Sequence, residues 1–297
     1  MTRFLSRRRL LAAGLLAAPI YAAVKMNNFS RDARAAHGKE GRLPVEKQPL
    51  AAVEIRPDLN EIFGKAGTVG AFVALQGDRL VGSDLHLIRE PRLPASSFKV
   101  AHSIIAFETG VVSDPDKDIL AWDGVERSFP DWNKDQTLRS AIAASAVPAY
   151  QQIARRIGTE RMQAYMDLLD YGNRDIGGGI DRFWLSGQLR VSPVEQIAFL
   201  ERLQRRALPV SRRSQDLAVD VMTVTKAGEG AIRVKSGLVG VDDRNGLDKA
   251  TAGWLIGFAG KGGVEVPFAL YLEVREARHI GDRTKLAIEC LSRIEAV

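Results

Sequence analysis

The residues best placed to do chemistry are Ser96 and Lys99 in Pro94-Ala95-Ser96-Ser97-Phe98-Lys99. A serine and a lysine three positions apart at the start of a helix share one face, one turn apart. The helix N-terminus adds backbone N–H groups and the positive end of the peptide dipoles beside the serine oxygen. Donors of that kind hold the oxyanion that forms during acyl transfer. Phe98 and Val100 flank the lysine, and Ile104, Ile105 and Phe107 follow it. Desolvation among such neighbours lowers an amine's pKa and favours its neutral form. The chemistry on offer is attack by an activated serine, with a covalent acyl intermediate. Taken alone, the same spacing also describes a capped helix with a solvated lysine.

Other chemistries find no support. The chain lacks His-Glu-x-x-His, and four scattered histidines with one cysteine, Cys290, argue against a metal site. It has no Gly-x-Gly-x-x-Gly, no phosphate-binding loop and no Gly-x-Ser-x-Gly elbow. With a single cysteine no intrachain disulfide can form, and Cys290 lies in a helical pattern that suits a small core residue.

The elements that must position the serine follow from periodicity. Gly67 to Gly82 reads as strand, Gly77-Asp78 turn, strand. Residues 96–108 read as a helix stopped by Gly110. Residues 137–205 are mostly helical by apolar spacing, with Leu138, Ile142, Ile153 and Ile157, then Val194, Ile197, Leu200 and Leu203. Strands return at residues 231–239, 251–260 and 264–275, separated by Asp242-Asp243-Arg244-Asn245-Gly246 and Gly260-Lys261-Gly262-Gly263. A last helix is expected over about residues 283–295. The order predicts an α+β protein: an antiparallel sheet built from both chain ends, flanked by helices, with an inserted helical region at about residues 97–225.

Around Ser96 and Lys99 stands an ordered set of further motifs. Trp132-Asn133-Lys134-Asp135-Gln136-Thr137-Leu138 precedes Ser145-Ala146-Val147-Pro148-Ala149-Tyr150-Gln151; then come Tyr171-Gly172-Asn173, Phe183-Trp184-Leu185-Ser186-Gly187-Gln188-Leu189, and Lys235-Ser236-Gly237. Singly, these could be an interior helix serine, a turn, a core tryptophan and a strand end. In this order and spacing they resemble the class D serine β-lactamases (oxacillinases), from about Gly67 to the last helix. The resemblance implies the serine β-lactamase/penicillin-binding-protein-like fold and hydrolysis of the β-lactam amide bond of penicillin-type antibiotics.

The resemblance also implies roles. Ser96 is the expected nucleophile, and Lys99, carboxylated on its side-chain nitrogen by CO2 or bicarbonate, the expected general base. Only a neutral amine attacks CO2, which the apolar setting of Lys99 favours. Trp184 is expected to donate its indole N–H to that carbamate, and Val147 to wall the pocket. Ser145 is expected to relay a proton to the departing nitrogen. Amides of Ser96 and Leu238 would form the oxyanion hole, and Lys235, Ser236, Gly237 and Arg283 would hold the substrate, with Arg283 suited to a paired hydrogen bond to its carboxylate. Ser236 stands where threonine is common and keeps the hydroxyl. No metal and no other cofactor is implied. The rival of the same fold is a β-lactam-acylated penicillin receptor or sensor, or a cell-wall peptidase, without efficient deacylation. Such sensors usually hang from a multi-span membrane region, and this chain offers one short apolar run. A non-catalytic binding protein would be expected to lack one of Ser96, Lys99 or Lys235, and all three are present.

The N-terminus reads as an address. Arg7-Arg8-Arg9 precedes an apolar run from Leu10 to Val24, too short for the ~20 residues of a membrane span. Residues 1–35 are expected to be an export signal, with twin-arginine character in Ser6-Arg7-Arg8-Arg9-Leu10-Leu11 and cleavage after Ala22 or Ala35. That leaves residues 36–297 as a single periplasmic domain without stable membrane insertion. Of the net charge of +6, all resides in residues 1–35; residues 36–297 hold 35 basic and 35 acidic groups. Composition therefore gives no basic footprint for nucleic acid, and the expected partner is a small β-lactam.

Overall fold

The computed structural model describes residues 52–241 and 246–297. The expected export signal and the Asp242–Asn245 part of one expected turn lie outside them. Apolar alternation at both ends of the described chain goes into one sheet. Its strands are β1 (Val53–Ile55), β2 (Gly70–Gln76), β3 (Arg79–Gly82), β4 (Thr223–Ala227), β5 (Gly230–Val239), β6 (Ala252–Lys261) and β7 (Val264–Glu273). They are ordered β1-β3-β2-β7-β6-β5-β4. Between the two groups of strands lie α2 (Lys99–Glu108), α3 (Leu138–Ala143), α4 (Val147–Ile157), α5 (Thr159–Leu169), α6 (Pro193–Gln204) and α7 (Arg212–Asp220); α1 (Pro57–Lys65) and α8 (Arg278–Arg293) flank the strands. The arrangement is the expected α+β one, a sheet built from both chain ends with flanking helices and a helical region between.

Three details depart from the reading of the sequence. The sheet is mixed, because β1 pairs parallel with β3 while the other neighbours are antiparallel. The helical region ends at Asp220, and Thr223–Ala227 is an edge strand whose largely exposed residues give no apolar alternation to read. The last helix begins at Arg278, so Arg283 sits in its second turn and not at its start. Gly281 suggests a later start, since glycine in a helix interior costs about 1 kcal/mol. His279 in the first turn accepts the Arg275 and Glu276 amides on Nδ1, which ties the incoming chain to the start of the helix.

The period of two along β2 sorts its side chains between two cores. Ala71, Val73 and Leu75 join the helical region, whereas Phe72 and Ala74 pack with Leu59, Ile62 and Phe63 of α1 and Leu286, Ala287, Cys290 and Leu291 of α8. In β6, Trp254, Ile256 and Phe258 face the first core and Leu255 and Ala259 the second. A sheet covered on both faces reads as near-continuous apolar sequence, as residues 252–259 do. Every residue of α2 from Lys99 to Phe107 is buried, the condition of a helix enclosed on all sides.

Candidate active site

The chain enters α2 through a 3-10 turn, Ala95–Phe98, and neither serine of that turn caps the helix. Ala95 has φ +48°, a left-handed conformation that costs a non-glycine residue of order 1 kcal/mol. Ser97 Oγ donates to Pro94 O at 2.7 Å and accepts from Gln196 Nε2 at 3.0 Å. Gln196 Oε1 in turn accepts from the Tyr171 hydroxyl at 3.1 Å. All three side chains are buried, and burial pushes the Tyr171 phenol up, so it remains a protonated donor. The turn is thereby tied to α6 and to Tyr171-Gly172-Asn173, which leaves Ser96 to Lys99.

Lys99 Nζ donates to Ser96 Oγ at 2.6 Å. Lys99 is fully buried, and burial, reinforced by the charge of Lys235, holds its amine well below the usual lysine range. Its backbone carbonyl accepts from Ser103 Oγ at 2.8 Å, and Ser103 Oγ meets the Tyr150 hydroxyl at 2.8 Å. Trp184 is fully buried, its ring 5.9 Å from Phe98 and 5.2 Å from His102. Its Nε1 has no hydrogen-bond partner among the described residues. Trp184 lies between α5 and α6, in residues 170–192, which are not α-helical although the apolar spacing suggested helix across most of 137–205. Asn173 pins that segment by donating to Gln188 O and accepting from the Arg190 amide, each at 2.9 Å. Gly172, at φ +56°, has no room for a Cβ, which would stand 2.2 Å from Arg190 O.

A second pair forms at Ser145. This residue is not inside a helix: it occupies the turn between α3 and α4 with φ +53°. Trp132 Nε1 donates to the preceding carbonyl, Ala144 O, at 3.1 Å and steadies the turn. Lys235 Nζ donates to Ser145 Oγ at 3.0 Å and to Ser236 O at 2.8 Å. Lys235 is 3% exposed; burial, and then the charge of Arg283, pull it down to about 7.

Gly237 joins the two pairs. A Cβ there would come 2.9 Å from Ser97 N and 3.2 Å from both Ser96 N and Pro94 O, so β5 can approach the serine turn only without one. Behind it, Arg283 Nη1 donates to Gly237 O at 2.7 Å and to Trp254 O at 3.4 Å, while Nε donates to Ile280 O at 2.7 Å. Burial lowers this guanidinium to about 10. Val147, Ser236 and Leu238 are half-buried, Val147 packing on the larger core at the first position of α4. The structure thus brings Ser96 to Lys99, Ser145 to Lys235, and Gly237 to both the serine turn and Arg283. Sequence reasoning missed Gln196, Ser103 and His102. The last two were within reach, since they stand three and four residues beyond Lys99 and so share its helix face.

Such an arrangement offers a hydroxyl against a buried neutral amine, and a second hydroxyl against a buried lysine lowered to about 7. Comparison with known proteins agrees with that chemistry. The family model of the penicillin binding protein transpeptidase domain matches residues 78–289. β-Lactamase OXA-10 of Pseudomonas aeruginosa is 39% identical over 204 residues, 68% of this chain and 75% of that protein. β-Lactamase OXA-48 of Klebsiella pneumoniae is 45% identical over 145 residues, 49% of this chain and 54% of that one. The crystal structure of FUS-1 (OXA-85), a class D β-lactamase from Fusobacterium nucleatum subsp. polymorphum, superposes with a TM-score of 0.75 at 32% identity, covering 82% of this chain and all of that one.

Proposed function

The chain belongs to the class D β-lactamases, hydrolases of the β-lactam amide bond, and from that premise we propose how its residues carry the reaction. Ser96 is the nucleophile, Lys99 in its carboxylated form the base, and penicillin-type β-lactams the substrates. The observation that carries this reading is the 2.6 Å contact of Ser96 Oγ with the buried Lys99 amine, together with a buried Trp184 indole N–H that lacks a partner among the described residues. An unpartnered buried donor costs about 1–3 kcal/mol, so Trp184 fits a pocket made to receive an acceptor. Lys99 would carry the CO2-derived group and Trp184 would hold it; when in place it supplies an anionic base.

Ser96 Oγ gives its proton to the Lys99 side chain as it attacks the lactam carbonyl, and the carbonyl oxygen is received by the amides of Ser96 and Leu238. Ser145 Oγ passes a proton to the departing lactam nitrogen and is resupplied from Lys235 Nζ, 3.0 Å away. Lys235, Ser236 and Arg283 orient the substrate carboxylate, and Val147 helps keep water from the amine. We further propose that residues 1–35 direct export to the periplasm and that residues 36–297 form the mature enzyme.

The test is hydrolysis of a chromogenic cephalosporin by the purified mature protein, with and without added bicarbonate. Sustained turnover that rises with bicarbonate is expected. The Lys99 base is then expected to activate the water that hydrolyses the acyl-enzyme; a stoichiometric burst without turnover would identify a penicillin receptor and remove that step. Lys99→Ala is expected to lower turnover by a factor of about 10² or more; full steady-state activity in that variant defeats the base assignment.

A further inference from the structure

His102 is the residue of this pocket that the reaction above leaves unused. It is fully buried, and neither Nδ1 nor Nε2 has a hydrogen-bond partner among the described residues. It stands one helical turn beyond Lys99, on the same face of α2. Its ring is 5.2 Å from Trp184 and 5.2 Å from Tyr150, both edge-on, and 5.4 Å from Phe98. Burial, and secondarily the charge of Lys99, lower the imidazole to about 3, so it is neutral, with one N–H to donate. Apolar packing alone does not account for a histidine here, because a leucine or phenylalanine would fill the space without leaving polar atoms unpaired. Two buried N–H donors without partners among the described residues, those of Trp184 and His102, therefore sit in ring contact, His102 one turn along α2 from Lys99. The two N–H groups are bonded neither to each other nor to any other described residue, and the shared explanation is an acceptor that Lys99 itself acquires.

We propose that His102 is a second positioning residue for carboxylated Lys99, donating its ring N–H to the anionic group alongside Trp184. A carbamate has two oxygens, and two donors from different elements, α2 and the loop that carries Trp184, fix its plane as well as its place. His102 touches neither substrate nor the reacting carbonyl; it acts through Lys99 by making the carboxylated form more stable. The inference rests on the reading that Lys99 is carboxylated, and it goes further by assigning a residue that sets how much CO2 is needed.

The experiment reads carboxylation directly. Enzyme stripped of CO2 at mildly acidic pH is returned to neutral pH with 13C-labelled bicarbonate, and the 13C carbamate resonance is followed against bicarbonate concentration. His102→Leu is expected to raise the bicarbonate needed for half-occupancy at least about tenfold, the loss of one hydrogen bond to a charged group. His102→Asn, which keeps an N–H donor, is expected to recover most of that loss. In the wild-type protein the His102 ring 15N resonances are expected to shift as the carbamate signal grows, and not to shift in Lys99→Ala. Equal half-occupancy in folded His102→Leu and wild type overturns the proposal, as do ring resonances indifferent to bicarbonate, a result that does not depend on any His102 variant folding. Absence of a carbamate signal from the wild type removes the underlying reading of Lys99 and this inference with it.

Discussion

Burying Lys99 completely takes its amine out of water, and no acidic side chain among the described residues neutralises it: both influences on it, burial and the charge of Lys235, oppose protonation. The folded protein then holds a neutral lysine where the unfolded chain holds a charged one. Because the folded-state pKa lies below the unfolded value, the unfolded chain binds more protons between the two, and stability rises with pH through that window. Below it the lysine subtracts from stability; near its ordinary pKa of about 10.5 the penalty is gone. Lys99→Met keeps the volume and discards the amine. In CO2-free buffer at neutral pH its melting temperature is expected to exceed the wild type's by roughly 2–4 °C, about 1 kcal/mol for a chain of this size. The difference is expected to shrink toward pH 10. Thermal scans in which Lys99→Met melts lower, or in which the gap is flat with pH, would show that the lysine imposes no such cost. His102 carries the same tension in milder form, since its buried ring nitrogens have no partner among the described residues.

At the scale of elements, the site depends on how closely β5 meets the turn before α2. Gly237 faces backbone atoms of Pro94, Ser96 and Ser97, which cannot swing aside as a side-chain tip can. Gly237→Ala is therefore expected to part the strand from the turn, lowering kcat/KM by about 10²-fold and the melting temperature by roughly 2–8 °C. Gly253 is the contrasting case. A Cβ there would stand 2.4 Å from Arg283 Cδ, and a flexible side chain can yield. Gly253→Ala is expected to shift the guanidinium off Gly237 O and raise KM about tenfold for a penicillin with a free carboxylate, with kcat nearly held. A fall in kcat alone would place Arg283 outside substrate binding.

These elements were unequally legible. Ser96 and Lys99, the hairpin of β2 and β3, and β5 to β7 came from spacing and turn residues, because local periodicity decides them. The parallel pairing of β1 and the edge strand β4 did not, since pairing partners lie far away in sequence and β4 is mostly exposed. Ser145 looked like a helix interior because nothing in its residue type announces a positive φ. Gln196 is 99 residues from the Ser97 it supports, a separation that no local pattern spans.

At the scale of the whole molecule, charge is concentrated locally. Residues 36–297 balance 35 basic against 35 acidic groups, so little long-range field draws an anionic β-lactam. From about 0.02 to about 0.2 M salt, kcat/KM is expected to change less than about threefold, the attraction being short-range. In the proposed site that attraction is assigned to Lys235 and Arg283, and only Lys235 titrates near neutrality. Lys235, lowered to about 7, holds its charge below that pH and loses it above; Arg283, at about 10, remains charged. With a substrate bearing a free carboxylate, kcat/KM is expected to decline above about pH 7 toward a plateau that Arg283 maintains. On the acid side the proposed carboxylation assigns the limb to Lys99, whose protonation would remove the nucleophile for CO2. Added bicarbonate is therefore expected to move the acid limb to lower pH and leave the alkaline limb where it is. Esterifying the substrate carboxylate is expected to flatten the alkaline limb alone. An alkaline limb of equal depth with the ester would mean that Lys235 serves the proton path through Ser145 and not the carboxylate, and the two cations would then have separate tasks.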